Sequence, residues 1–257
     1  LISELVFATE GSIERIEVDP YSPCMVVQYA AEQGNELYAW PSGQRYQVAA
    51  HVYLDHVQHG WACMLLTGNG SEWGVVGSGA VDLATDMAIW QESGAGRWLP
   101  TREHSFWLTA DNRLIRPLPT GNWQEDSHLS QADLRQLVFQ REAHLAHQLA
   151  TAYWLEPGDD DYGTAQHMAL QHLGMELTSP LLWAKSGAIC ALAGCLDSSI
   201  GQLSQHLIYA TATTTHVLNL LPENPANGLS SLMLWNGSLW YLQGRNQLLR
   251  LADTHAE

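Results

Sequence analysis

The feature that most constrains this chain is a change of hydrophobic period near Ser130. Before it, short apolar stretches alternate with polar residues and are separated by turn formers. Ile13, Ile16 and Val18 stand among Glu14, Arg15 and Glu17, and Cys24 to Tyr29 is a compact apolar run broken by Gln28. Trp61–Thr67 and Glu72–Val76 flank Gly68-Asn69-Gly70, and Phe106–Leu108 and Leu114–Ile115 flank Asp111-Asn112. Such alternation around turn residues predicts strands and hairpins.

After Ser130, apolar residues recur mostly at three- and four-residue steps through Leu134, Leu137, Val138, Leu145, Leu149 and Tyr153. With Ser130 and Asp133 as a capping-box-like start, this predicts an amphipathic helix to about Leu155. Pro157-Gly158-Asp159 stops it, and a second helix is expected over Thr164–Met175. Ser179-Pro180 reads as an N-cap with a first-turn proline, opening a third helix over Leu181–Leu196. That segment is apolar almost all round, so it is expected at the buried centre of its neighbours. A fourth helix is expected from Ser199 to Leu221, ending before Pro222. Strands return at Leu232–Trp235, Ser238–Gln243 and Gln247–Leu251, joined by Asn236-Gly237 and Gly244-Arg245-Asn246. The expected fold class is α+β: a β-rich portion over 1–127, a four-helix portion over 128–227, and a C-terminal three-stranded β-meander over 228–257 that is free to join the first sheet. No internal repeat at a solenoid or propeller period is visible.

Charge narrows the partners. Of 257 residues, 27 are acidic and 11 are Lys or Arg, giving a formal charge of −16. Lys185 is the one lysine and the arginines are scattered, which opposes nucleic-acid binding, because that rests on clustered cations. Residues 1–127 hold 16 acidic and 6 basic side chains, so the acidity is not a tail. No apolar run reaches spanning length, so no membrane insertion is expected. Cys24, Cys63, Cys190 and Cys195 form no C-x-x-C pair, and no basic stretch followed by an apolar one opens the chain. These features predict a reduced, cytoplasmic protein.

The succession Arg141-Glu142-Ala143, Trp154-Leu155-Glu156-Pro157, Ala165 through Gly174, and Thr178-Ser179-Pro180-Leu181-Leu182-Trp183-Ala184 resembles a family of uncharacterised helical proteins encoded beside type VI secretion genes. The resemblance covers residues 140–221. It departs at Ala193-Gly194-Cys195-Leu196-Asp197-Ser198-Ser199, where the family has a Ser-Gly-Gly-Ser-like turn. What it implies is a genomic setting, not an activity.

Twelve histidines invite a search for metal ligands. His51, Asp55 and His59 are spaced four apart, which stacks them on one helix face; all three are odd-numbered, so a strand would also place them together. With His56 they form a His/Asp cluster of zinc-ligand type, unless they are solvent-facing polar residues of an amphipathic element. No Gly-x-Ser-x-Gly elbow is present, and the glycines from Gly68 to Gly79 lack the Lys-Ser/Thr of a phosphate loop. Lys185 reads as a lysine near a helix start reaching to the surface. Catalytic residues are therefore not assigned and no cofactor is expected. The predicted function is a non-enzymatic protein-interaction module, such as an immunity, adaptor or chaperone component of a bacterial secretion or toxin system. Its partner would be basic or amphipathic, taken by the acidic first 127 residues and their seven tryptophans. The alternative is a metal-dependent hydrolase using His51, Asp55, His56 and His59.

Overall fold

Period-two alternation governs most of the described elements. The computed structural model describes residues 2–68, 74–91, 94–126, 128–174, 181–187, 189–197, 202–219 and 232–252. Two compact units divide it: Gly11–Leu145, and Leu1–Glu10 together with Ala146–Glu257.

After strand β1 (Ile2–Ala8), the Gly11–Leu145 unit repeats one motif three times, an antiparallel meander of four strands. The first is β2 (Ile13–Val18), β3 (Met25–Ala31), β4 (Gly34–Trp40) and β5 (Gln44–Val48). The second is β6 (Val52–Gln58), β7 (Trp61–Thr67), β8 (Val75–Asp82) and β9 (Met87–Gln91). The third is β10 (Gly96–Pro100), β11 (Ser105–Thr109), β12 (Leu114–Pro117) and β13 (Trp123–Glu125). Each is the kind of four-stranded sheet from which propeller blades are built. The repeat is one of backbone, and the side chains that fill it differ, which is why no period shows in the sequence.

Alternation sorts these side chains into layers. Along β7, Ala62, Met64 and Leu66 join Val26, Leu37 and Leu54 in the core against the first sheet. Cys63, with half-buried Trp61 and Leu65, joins Trp98, Trp107 and Ile115 in the core against the third. The far face of the third sheet puts Phe106 and Leu114 on Leu134 of helix α1 (Gln131–Gln148). As the sequence predicts, Ser130 caps that helix: its Oγ accepts from the Asp133 N–H at 3.2 Å and its own N–H donates to Asp133 Oδ2 at 3.1 Å.

The second unit holds two five-stranded antiparallel sheets. One orders β1, β22 (Gln247–Ala252), β21 (Ser238–Gln243), β20 (Leu232–Trp235) and β14 (Leu149–Thr151). The C-terminal meander thus folds as its turns dictate, Asn236 and Gly237 both taking the positive φ of a type I′ turn (48° and 72°). Its last strand pairs with β1. The other sheet orders β15 (Tyr153–Leu155), β16 (Leu181–Ser186), β17 (Ile189–Asp197), β18 (Gln202–Ala210) and β19 (Thr215–Asn219), with helix α2 (Tyr162–Leu173) on one face.

The α+β class with a four-helix portion is therefore corrected to a mostly β fold. Among the described residues two of the expected helices are present, the first shorter than expected: α1 ends at Gln148, and β14 and β15 follow it. The expected buried helix over Leu181–Leu196 is the hairpin β16–β17, turning at Gly187 with φ 60°. Leu182, Ala184 and Ala191 face the other sheet, whereas Leu181 and Trp183 face α2. A strand covered on both faces is apolar all round, and in composition it matches a buried helix. The expected fourth helix is β18 and β19, with Leu207 and Tyr209 on one face and Ile208 on the other. The Ser179-Pro180 start, the centre of the Gly68-Asn69-Gly70 turn and Pro222 lie outside the described residues.

Ala191 is fully buried and pairs with Ala184 and Tyr209. Ala191→Phe is expected to overpack that layer and destabilise the protein by about 1–3 kcal/mol, read as a lower denaturation midpoint in urea.

Candidate functional site

One irregularity in β6 creates the chemistry of the first unit. Leu54 pairs with Met64 but His56 pairs with Cys63, so Asp55 is the extra residue of a β-bulge. The bulge undoes the strict alternation that would send neighbouring side chains to opposite faces. Asp55 Oδ2 lies 2.8 Å from Nδ1 of the adjacent His56, whose Nε2 lies 2.7 Å from Oγ of Ser105 at the start of β11. His56 and Ser105 are buried and Asp55 is partly exposed. Burial lowers the His56 pKa, with Asp55 opposing. The neutral ring donates from Nδ1–H to the carboxylate and accepts at Nε2 from the Ser105 hydroxyl. The edge of His56 meets Trp98 at 5.7 Å between ring centroids, which fixes its plane.

Beside this chain runs a second polar one. Gln58, at the end of β6, donates to the Thr101 carbonyl and accepts from Nε of Arg141 at 2.9 Å. Arg141 and Leu134 are the buried residues of α1, so a cation supplies much of the helix's attachment. Burial lowers the Arg141 pKa, and Tyr21, Glu17 and Asp19 oppose it. Fully buried Asp19 accepts from the Tyr21 N–H (2.9 Å), the Ser22 hydroxyl (2.7 Å) and the Gly60 N–H (2.9 Å). It thereby fixes the turn that carries His59. Tyr21 stacks on both His59 and His144, at 4.4 and 4.9 Å between centroids.

A surface cleft adjoins these groups, lined by Gln58, His59, Trp61, Glu103, His104, Ser105, Arg116 and Pro117. Arg116 donates from Nη1 to His104 Nε2 (2.7 Å) and from Nη2 to Gln124 Oε1 (2.9 Å), while its Nε is buried without an acceptor. Desolvation first, then the Arg116 charge, lower the His104 pKa, so this ring too is neutral near pH 7.

Of the expected metal cluster, the structure joins only Asp55 and His56. His51 precedes β6, and its carbonyl accepts from the Thr67 N–H and hydroxyl (3.0 and 3.2 Å). His59 sits in the next turn at φ 50°, donating from Nε2 to the Arg102 carbonyl (2.9 Å). Among the described residues no three His, Cys, Asp or Glu are placed to hold one metal ion. Lys185 is on a strand, not at a helix start, and its Nζ lies 2.9 Å from Asp161 Oδ1. Sequence reasoning missed Ser105: it comes 49 residues after His56, and no local motif marks it. No family model matches the chain, and no curated protein matches it.

Two measurements check this network. Arg141→Ala leaves the Gln58 carbonyl oxygen without its donor, an unsatisfied buried acceptor worth about 1–3 kcal/mol; urea unfolding should show that loss. Stability should also fall as pH drops below 6.5, the ordinary histidine value. In that window the unfolded chain binds a proton that folded His56 refuses, with a limiting slope of about 1.4 kcal/mol per pH unit per proton. His104 acts with the same sign, and Glu17, raised by burial above 4.5, with the opposite one. Replacing His56 with Gln should flatten the fall measured between pH 7.5 and 5.5.

Proposed function

We propose that this protein is an interaction module that takes a basic, extended polypeptide segment along strand β15. The observation that carries the reading is the exposure of Tyr153 (41%) and Trp154 (47%), large aromatic side chains left uncovered on the outermost strand of their sheet. Tyr153 pairs with Trp183 and Trp154 with Leu182, residues that face opposite sides of the sheet. A segment adding as a further strand would rest alternate side chains on each aromatic in turn, the pattern of β-augmentation. The turn that follows exposes Glu156, Asp159 and Asp160, which favours cationic side chains on the incoming chain.

This moves the expected anchor. In the first 127 residues Trp98 and Trp107 are core, and Trp40, Trp61 and Trp123 are half-buried; Trp73 and the side chain of Trp90 lie outside the described residues. The secretion-gene setting implied by the resemblance makes an immunity, adaptor or chaperone role the biological form of this proposal. A reduced, cytoplasmic compartment is part of it, supported by free Cys24, Cys63 and Cys190. Their thiol pKa values are all raised by burial, that of Cys24 to about 11. No helix among the described residues is long and apolar enough to cross a membrane.

The test is capture of the partner from the native host, followed by association kinetics. Trp154→Ala should weaken binding about 30-fold, the loss of roughly 2 kcal/mol that defines a hot spot. Its melting temperature should not change, because the side chain is already half in water. Raising salt should slow association while leaving dissociation nearly constant. A partner bound equally well by Trp154→Ala and by a Asp159→Lys/Asp160→Lys variant would sink the reading.

A further inference from the structure

The geometry points to a second activity, on the Gly11–Leu145 unit: Ser105 is a nucleophile for acyl transfer to a small carboxylic ester, with His56 as its general base and Asp55 orienting the imidazole. The roles follow from the contacts. Both hydrogen bonds of the chain, 2.7 Å from Ser105 to His56 and 2.8 Å from His56 to Asp55, fall in the range for a nucleophile, its base and the group that orients the base. The ionised carboxylate can only accept, so it holds the proton on Nδ1 and leaves the Nε2 lone pair for the serine hydroxyl. The order of the three residues along the chain carries no weight, since such triads are recognised by geometry and role.

One further observation separates this arrangement from a polar cross-link between β6 and β11. A cross-link requires no opening at its serine, yet Ser105 lines a surface cleft together with Gln58, Trp61 and Pro117. Trp61 and Pro117 give the cleft apolar walls for a short acyl group.

In the step, Ser105 Oγ forms a bond to the ester carbonyl carbon while its proton passes to His56 Nε2. The bond from that carbon to the alkoxy oxygen breaks, and the proton moves from Nε2 to the departing alcohol. A water molecule then repeats the sequence on the acyl-serine, releasing the carboxylic acid and restoring the hydroxyl. Asp55 stays ionised throughout.

The experiment treats the full chain with a fluorophosphonate probe, maps the adduct by peptide mass spectrometry, and follows p-nitrophenyl acetate turnover. The expected result is one adduct per chain, on Ser105, with none in Ser105→Ala and modification slowed by about 100-fold or more in His56→Gln. Asp55→Asn should slow turnover while leaving Ser105 in place to be modified. An unmodified wild-type chain, an adduct on another residue, or equal rates in wild type and a folded His56→Gln variant would each overturn the assignment. Because the wild-type adduct is mapped directly, the proposal remains open to refutation even if a variant does not fold.

Discussion

The middle sheet of the first unit and the second sheet of the other are each covered on both faces, and this constraint shapes the rest. Where a sheet is covered on both faces, neighbouring side chains are buried in both directions, so Ala62 and Met64 turn one way and Cys63 the other, all without exposure. Polar atoms caught between such layers are costly without partners. Several find theirs by bridging sheets. Gln28 of the first sheet donates to the Val52 carbonyl at 3.1 Å and accepts from the Leu54 N–H at 2.6 Å. Trp98 of the third donates to the Met64 carbonyl at 2.9 Å. Each such bond fixes the register of one layer on the next, which apolar contact alone leaves free to slide.

The candidate site is where this bridging meets the surface. His56 and Gln58 leave the same strand on the side of the third sheet, and each finds its partner there, on Ser105 and on the Thr101 carbonyl. Gln58 then passes the connection to Arg141, which fastens a helix with little apolar face of its own. A buried cation with no direct carboxylate bond is costly unless its surroundings are polar and fixed. Glu17, Asp19 and Tyr21 supply that setting. The loop from Asp19 to Ser22, the turn at His59 and the helix are thus tied to one another, and the cleft has walls that come from different layers.

What was legible in the sequence follows from where each signal lives. Hairpins joined by Asp111-Asn112 and Asn236-Gly237 declare themselves because the turn needs positive φ and few residues supply it. The Ser130 cap is legible for the same local reason. Leu181–Leu196 is not, since two-sided burial erases the polar stripe that tells a strand from a helix, and its one break, Gly187, suits either reading. Asp55 and His56 are visible as a pair, and spacing then suggests His51 and His59 as companions. The bulge at Asp55 breaks that spacing, and the true companion, Ser105, arrives from another sheet. Tryptophan count likewise says nothing of exposure: Trp98 and Trp107 cement layers, while Trp154, in a stretch expected to be helical, is the exposed one among the described tryptophans.

Acidity alone does not locate a partner here. The unit of Leu1–Glu10 and Ala146–Glu257 holds 11 acidic and 3 basic residues, and Gly11–Leu145 holds 16 and 8, so each is formally −8. Equal charge gives long-range attraction to any cationic chain without preferring one face, and it is screened beyond about 10 Å at 0.1 M salt. Selection has to come from short-range features that the two units do not share. One ends a sheet on uncovered aromatic side chains beside an acidic turn; the other joins a hydroxyl, an imidazole and a carboxylate in one hydrogen-bonded chain beside a cleft. The first is the basis of the proposed polypeptide edge and the second of the proposed small-molecule site. Each belongs to a compact unit with its own core.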